Sequence, residues 1–301
     1  AFIGLGGNFA RAAPDSDRIW PAWRNLRLTV QIATKLNKSH LINGKVAWLL
    51  PCLSRLERDV QAGGAQTVST EDSISYIHAS FGDKAPAGAL LLSEPAIVAG
   101  IAKATLPPNP KVDWDAWVGD YGLVRDAIAE TYPQWFSGFN QRFREPGGFF
   151  RGNKARERDF SEAVGGKANF FVPTALSATG FADAADVFRL MTLRSNDQFN
   201  TTVYGYEDRF RGISGTREVL FIGVADRDRL RLREGQIVGL KTVAADGIER
   251  RMGGLRVTTY DIPQGCLGTY YPECNVLIPV SHHAAESKTP AAKSVPVRIV
   301  A

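Results

Sequence analysis

The densest cluster of side chains that could bind a ligand follows a short apolar run in the last third of the sequence. Residues 188–191 are typical of a strand, and they are followed directly by Thr192-Leu193-Arg194-Ser195-Asn196-Asp197-Gln198-Phe199-Asn200-Thr201-Thr202. Hydroxyls and amides are costly to bury unless something pairs with them. A polyphosphate or the edge of a heterocycle would supply partners, with Arg194 as a bidentate anion ligand. A solvated turn with an Asx-type cap is the alternative, and the length of the cluster favours ligand binding.

A second candidate lies near the start of the sequence, where Gly6-Gly7-Asn8 follows the apolar residues 1–5. Glycine permits close approach, so backbone N–H groups here could contact a phosphate or a purine. The string is not the GxGxxG fingerprint, and the sequence contains no Walker A motif. A plain strand-to-loop turn is the alternative.

Other catalytic and metal-binding patterns are missing from the sequence. Cys52, Cys266 and Cys274 form no CxxC pair, which argues against a disulfide framework and against an iron–sulfur or zinc site. A reducing, cytoplasmic location is the expectation, with Cys52 buried. The four histidines show no HExxH spacing, and there is no GxSxG elbow.

Arginines are frequent between residues 208 and 233. The run 208–217 interleaves three arginines with glycines, so nucleic-acid binding through Arg209, Arg211 and Arg217 is one alternative. It lacks a flanking basic face, and nucleic acid is therefore not the expected partner. The alternating arginines between 227 and 233 would spread around a helix, which predicts a solvated surface.

Composition indicates a globular protein. Apolar residues make up 44% and charged residues 22% of 301 positions, a length that predicts two domains at about 150 residues each. The 36 Lys and Arg exceed the 31 Asp and Glu by five. No apolar window is long enough to span a membrane, so a soluble protein is expected.

The sequence opens in an apolar run without Met, which predicts a piece of a longer polypeptide; a processed N-terminus is the alternative.

The elements that must position these residues are of α/β type in the first half. Residues 1–5, 28–33 and 46–50 predict strands of a buried parallel sheet, with a helix near 16–26. Residues 55–80 predict a long loop or irregular strands. Helices are expected at 94–105, capped by Ser93, and at 113–132, stopped by Pro133. A connector at 147–165 contains the predicted domain boundary.

Short β-rich runs dominate the last third. Strands are predicted at 170–172, 188–192, 219–224, 236–243, 255–259 and 295–300, with one helical turn at 226–232. Several short strands at this spacing predict a β-barrel or a sandwich.

Taken in order, these strings resemble a known family over essentially the whole chain. The strings are Gly6-Gly7-Asn8, residues 33–40, Leu50-Pro51-Cys52, residues 69–73, residues 192–202, residues 208–212, Tyr260-Asp261-Ile262-Pro263, residues 270–275 and residues 288–293. The series resembles the molybdopterin oxidoreductases, specifically their YdeP-type, formate-dehydrogenase-like branch.

The resemblance implies that the chain is the C-terminal portion of a catalytic subunit. Residues 1–160 would form a Rossmann-like α/β dinucleotide-binding domain, and residues 161–301 a double-psi β-barrel. In this family two molybdopterin guanine dinucleotides hold one molybdenum, and the iron–sulfur cluster and the metal-ligating residue lie upstream. The resemblance therefore assigns no catalytic residue and no metal ligand to this sequence. Formate or a similar small molecule would be the substrate, and the redox partner is unknown.

The resemblance also implies which residues contact the cofactor. They are Gly6, Gly7 and Asn8; Thr34, Asn37 and Ser39; Thr192, Arg194, Ser195, Asp197, Gln198, Asn200 and Thr201; and Asn275 and Lys293. Clustered N–H donors, hydroxyls and a few cations are what a polyphosphate requires. Two other classes remain open, a non-catalytic nucleotide-binding protein of the same fold and a basic nucleic-acid-binding protein.

Overall fold

A computed structural model describes residues 1–172, 184–201 and 203–300, and the chain divides into two compact units. The first contains Ala1–Gln31, Leu36–Leu49 and the described part of 173–301. The second contains Ile32–Lys35 and Leu50–Val172. The domain division predicted from the sequence, 1–160 and 161–301, stays a prediction.

The described residues form strands and helices throughout both units. The strands are β1 (Phe2–Leu5), β2 (Leu28–Ala33), β3 (Val46–Pro51), β4 (Val60–Gln61), β5 (Gly64–Ala65), β6 (Val68–Glu71), β7 (Tyr76–Ser80), β8 (Phe149–Phe150), β9 (Phe188–Leu193), β10 (Val219–Ile222), β11 (Ile237–Thr242), β12 (Arg251–Thr259), β13 (Cys266–Tyr270) and β14 (Val295–Val300). The helices are α1 (Phe9–Ala12), α2 (Ser16–Arg24), α3 (Glu94–Thr105), α4 (Trp114–Gly119), α5 (Tyr121–Thr131), α6 (Pro133–Phe136), α7 (Phe139–Arg142) and α8 (Val224–Arg229). Short 3₁₀ turns occupy Lys38–Leu41, Val164–Gly166 and Glu273–Leu277.

A three-stranded sheet of order β1-β2-β3 opens the chain, and its strands and α2 confirm the predicted elements. The expectation that all three strands are buried is wrong for β1 and β3. Half of the residues of β1 and most of those of β3 are exposed, Trp48 to 60%, because both strands lie at the edges of the sheet whereas β2 is flanked on both sides. The adjoining core is formed by Ala10, Trp23 and Ile42.

Six of the described strands close a barrel in the order β10-β12-β11-β14-β9-β13, which confirms the predicted β-barrel. β10 pairs in parallel with β12 and β9 with β13, while the remaining neighbours are antiparallel. Alternate side chains such as Leu220, Ile222, Leu240 and Leu267 point into one buried core. Closure leaves no strand edge unpaired in this sheet.

Three sequence expectations in the last third need correction. β13 was not predicted, because Gly268 and the polar Thr269 interrupt its apolar pattern. Residues 170–172 were predicted as a strand and form none. The helical turn expected at 226–232 is α8, which starts two residues earlier.

The second unit combines two small sheets with helices. Residues 55–80, predicted as a loop or irregular strands, form the hairpins β4–β5 and β6–β7, and β8 extends the second one. α3 has the predicted bounds, and Ser93 Oγ accepts from Ala96 N at 3.3 Å as its N-cap. Among the residues described, no helix is long and apolar enough to cross a membrane.

The single helix expected at 113–132 is divided into α4 and α5. Asp120 adopts an extended backbone, φ −145°, and its carboxylate accepts from Gly122 N at 2.7 Å. An aspartate that caps a helix competes with continuation of the preceding one, so the break follows from the residue type. The helix ends at Thr131, just before Pro133 as expected, and Pro133 then occupies the first turn of α6, where its missing N–H has no cost.

A buried ion pair ties the N-terminal segment to the barrel within the first unit. Arg250 donates to both carboxylate oxygens of Asp15, at 3.0 and 2.7 Å, and to Asp246 at 2.8 Å. Asp15 and Arg250 are almost completely buried. Asp15 N also donates to Asn275 O at 2.8 Å, which fixes the segment to a second point on the barrel.

We expect Asp15→Ala to lower the free energy of unfolding by about 3 kcal/mol, because it leaves the buried Arg250 with one carboxylate instead of two. Urea denaturation followed by circular dichroism measures the change. Asp17→Ala, which removes an exposed carboxylate two residues away, is the control and should change stability by about 0.5 kcal/mol or less. Equal losses in both variants would contradict the assignment.

Candidate functional site

The polar loop that follows β9 is ordered by hydrogen bonds among its own side chains. Ser195 N donates to Gln198 Oε1 at 3.0 Å, and Gln198 Nε2 donates to Asn200 O at 2.8 Å. Asp197 and Asn200 have positive φ, 60° and 52°, a conformation that aspartate and asparagine tolerate better than most residues. The loop is therefore preorganised. Thr202, part of the same predicted cluster, lies outside the described residues.

Arg217 holds this loop against the barrel. It is 3% exposed, and its Nη1 donates to Ser195 Oγ at 2.7 Å. Its Nη2 donates to Gln198 Oε1 at 2.9 Å and to Tyr271 O at 2.8 Å. Its guanidinium also lies 4.5 Å from the ring centre of Tyr204. Sequence reasoning missed this role: it weighed Arg217 only as a nucleic-acid contact, and a side chain this buried cannot provide one.

A second buried cluster, in which an aspartate is bonded to an arginine and a tyrosine, lies on the same side of the barrel. Asp208 accepts from Tyr270 Oη at 2.8 Å and from Arg211 Nη1 at 2.6 Å. Burial alone would raise the pKa of Asp208, but the hydrogen bonds from Arg211 and Tyr270 outweigh it and hold that pKa below its usual value. Arg211 is thus paired internally, whereas Arg209 is 71% exposed.

The glycine loop and the barrel loop meet, although they are 193 positions apart. Asn8 Nδ2 donates to Thr201 O at 2.7 Å, and Thr201 Oγ1 donates to Asn8 O at 3.4 Å. Ser39 Oγ donates to Asn8 Oδ1 at 3.3 Å, and Asn37 Nδ2 donates to Gly7 O at 3.2 Å. The structure therefore brings together predicted site residues from three separate strings. Asn8, Ser39 and Thr201 are buried and use their polar groups on one another.

Asn275 and Lys293, at the end of the barrel, form hydrogen bonds with neighbouring backbone carbonyls. Asn275 Nδ2 donates to Arg11 O at 3.0 Å and to Ala12 O at 2.9 Å, so it supports the N-terminal segment. Lys293 Nζ donates to Thr192 O at 2.5 Å, at the end of β9. Thr34 is not linked to these residues by any described hydrogen bond; it is exposed and belongs to the second unit.

Two cations of the site have no carboxylate partner in the part of the chain that is described. Arg194 Nη2 donates to Asn200 Oδ1 at 3.0 Å, and its guanidinium lies 5.7 Å from the ring centre of Tyr271. Burial lowers the pKa of Lys293, and the positive charge of Arg194 lowers it further. Like charges held together without a counter-ion favour the binding of an anion.

The cysteines do not provide a metal site among the described residues, where no group of three or more His, Cys, Asp or Glu side chains is arranged to hold a metal ion. Burial raises the pKa of the Cys274 thiol to about 12, and Glu273 adds to the effect. Cys52 is buried, as predicted, and burial raises its pKa as well. Both are therefore neutral thiols at pH 7.

Comparison with known proteins relates the chain to oxidoreductases. It is 42% identical over 301 residues to protein YdeP of Escherichia coli K12, and 42% identical over 303 residues to a protein of Mycobacterium tuberculosis H37Rv named as an uncharacterized oxidoreductase. Each match covers 99% of this chain but only 39% and 38% of the relative, so the chain spans about two fifths of their length. No protein-family model matches the sequence.

The fold has a counterpart among solved structures. Acetylene hydratase from Pelobacter acetylenicus matches with a TM-score of 0.55 at 12% identity, covering 99% of this chain and 44% of that one. At this identity the match shows a shared fold only. Together the comparisons relate the chain to a segment of longer bacterial proteins, one of them named as an oxidoreductase, and show a fold that combines α/β structure with a β-barrel.

Replacing Arg217 by Met should release the loop, because Ser195 and Gln198 lose their donor. Glu273, which accepts from Arg217 Nε at 3.1 Å, loses an ion-pair partner in the same variant. We expect the free energy of unfolding to fall by about 3 kcal/mol. Hydrogen exchange of residues 194–200 should become faster at the same time. Arg209→Met is the matched control and should alter neither quantity measurably. Unchanged exchange in Arg217→Met would show that the loop is held by other contacts.

Proposed function

We propose that this chain is the C-terminal cofactor-binding region of a molybdenum oxidoreductase that uses two molybdopterin guanine dinucleotides. In this proposal residues 1–160 form a Rossmann-like domain and residues 161–301 a double-psi β-barrel. Three findings support it: the ordered series of family-like strings, relatives named as oxidoreductases, and a closed barrel with mixed parallel and antiparallel pairing.

The observation that carries the proposal is the pair of unneutralised cations beside the polar loop. Arg194 and Lys293 lie at the same end of the barrel, and each lacks a carboxylate partner among the residues described. A guanine dinucleotide carries a pyrophosphate, and charge-assisted bonds from Arg and Lys are the strong ones for such a group. The donor set of the site therefore fits a polyanion.

The internal hydrogen bonds divide the predicted residues into two roles. In the first unit, those available to a ligand are Arg194, Lys293, the exposed Asn200 and the backbone of Gly6 and Gly7. Asp197 is exposed, but its carboxylate accepts from Asn196 Nδ2 at 2.6 Å. Thr34 is an exposed residue of the second unit. Those that orient the loops are Asn8, Asn37, Ser39, Thr192, Ser195, Gln198, Thr201 and Asn275, whose side-chain or, for Thr192, backbone polar groups bond to neighbouring protein atoms. The orienting residues thus hold the loops of the first unit that carry the ligand-available residues.

The bound cofactor would supply the two-electron redox chemistry, while this chain would bind and orient it. The metal ligand and the iron–sulfur cluster would belong to other parts of the whole protein. Its resemblance to formate dehydrogenase makes formate the candidate substrate. None of the site residues is assigned a role as nucleophile or general base, so this region would act in binding.

The double substitution Arg194→Ala/Lys293→Ala should weaken retention of the cofactor by the whole protein. Loss of two charge-assisted contacts, each worth about 1.5 kcal/mol, lowers affinity about 100-fold. The measurement is molybdenum content by mass spectrometry, together with GMP released by acid hydrolysis, each per mole of purified protein. We expect both to fall while the thermal midpoint of unfolding changes little.

The control is Arg27→Ala/Lys45→Ala, which removes the same charge from exposed positions of the first unit. It should leave both contents at the wild-type level. A wild-type protein that contains neither molybdenum nor guanine nucleotide would refute the proposal. Equal losses in the two double variants would mean that total charge, and not these two side chains, is responsible.

A further inference from the structure

The second unit contains an apolar pocket that the proposed function does not use. Its volume is about 350 Å³, and its wall is formed by α3, α4, α5 and β6. Val98, Trp114, Trp117 and Val124 are among its apolar lining residues. A cavity of this size lined by indole and aliphatic side chains is typical of a site for a small organic molecule.

Among the residues that line the pocket one, Arg125, is charged. This residue lies on α5, is only 5% exposed and lines the pocket. Its Nε donates to Asn140 Oδ1 at 2.6 Å, and its Nη1 donates to Thr67 O at 2.7 Å. Its guanidinium carbon lies 4.4 Å from the ring centre of Phe143. All of these partners are formally neutral.

No carboxylate among the described residues forms an ion pair with Arg125. Asp126 is linked to it indirectly, since Asn140 Nδ2 donates to Asp126 Oδ1 at 2.6 Å. Burial lowers the pKa of Arg125, and the charge of Arg144 lowers it further, against the opposing effect of Asp120 and Asp126. A buried cation without a direct counter-ion is costly, so the pocket favours an anionic ligand.

One nitrogen of the guanidinium remains available. Arg125 Nη2 has no hydrogen-bond acceptor in the described part of the chain. It is not one of the fully buried atoms that lack a partner, so it retains some exposure to solvent. A planar carboxylate needs few donors, whereas a phosphate dianion would require several more in a wall whose other residues, apart from Ser69 and Tyr121, are apolar. The ligand that fits this pocket therefore carries a single carboxylate on an apolar body.

We propose that this pocket binds a small carboxylate with a flat apolar body. The carboxylate would pair with Arg125, and the body would lie against Trp114 and Trp117. Val98 and Val124 would close the apolar side. This site is built entirely within the second unit and does not depend on the proposed cofactor role.

Calorimetric titration of the full chain with 2-naphthoate tests the proposal, with 2-naphthalenemethanol as the neutral probe of the same shape. We expect a Kd on the order of 0.1 to 1 mM for 2-naphthoate, from the usual affinity per atom of small ligands. The neutral probe should bind at least about tenfold more weakly, since it cannot form the ion pair. Equal affinity for the two probes, or no binding of either, would overturn the proposal.

The substitution Val98→Trp tests whether the probe binds in this pocket. Val98 is 43% exposed, so a larger side chain can fill the pocket without entering the core. Affinity for 2-naphthoate should fall at least about tenfold, while Val60→Trp, at an exposed position of the same unit, should leave it unchanged. Undiminished affinity in Val98→Trp would place the probe elsewhere and refute the site.

Arg125→Met completes the series. It should abolish the preference for 2-naphthoate over the alcohol; if it does not fold, Val98→Trp still decides the question, because that variant leaves Arg125 intact. None of these titrations requires molybdenum or a dinucleotide. A negative result here is therefore distinct from a failure of the proposed cofactor role.

Discussion

The buried guanidinium of Arg217 is the interaction on which the geometry of the candidate site depends. A cation at 3% exposure has to use its donors on protein atoms. Arg217 does so by binding Ser195 and Gln198 of the polar loop together with the Tyr271 carbonyl beyond β13. The requirement to satisfy one charge therefore fixes the conformation of the polar loop.

The same requirement extends to the N-terminal segment. Glu273, which accepts from Arg217 at 3.1 Å, also lies 3.5 Å from Arg11. Four residues further along, Asp15 is paired with the buried Arg250 of the barrel. Because each buried charge draws its partner from a distant part of the sequence, the glycine loop and the barrel loop are held in one arrangement within the first unit. A ligand at their junction would meet a site already formed, which lowers the ordering cost of binding.

The elements that the sequence predicts well are those whose signal is local. β2 and α3 have the predicted bounds, since an apolar run and a Ser-Glu-Pro start define them without reference to the rest of the fold. β13 was missed because its burial comes from its neighbours β9 and β10. The break at Asp120 was missed because a capping carboxylate within a helical pattern resembles an ordinary exposed residue until its partner is known.

In the site, too, residue type can be read from the sequence, whereas the partners that decide each residue's role are distant in the chain. Residue type selects Asn8, Ser39 and Arg194 equally well, yet Asn8 and Ser39 bond each other whereas Arg194 has no carboxylate partner among the residues described. What separates a residue that orients from one that binds is whether its polar or charged groups already have partners within the protein, and that depends on contacts far apart in the chain. The same criterion identifies Lys293 in the first unit and Arg125 in the second. A cation that the fold leaves without a carboxylate partner among the described residues is the most direct physical indication of where an anion belongs.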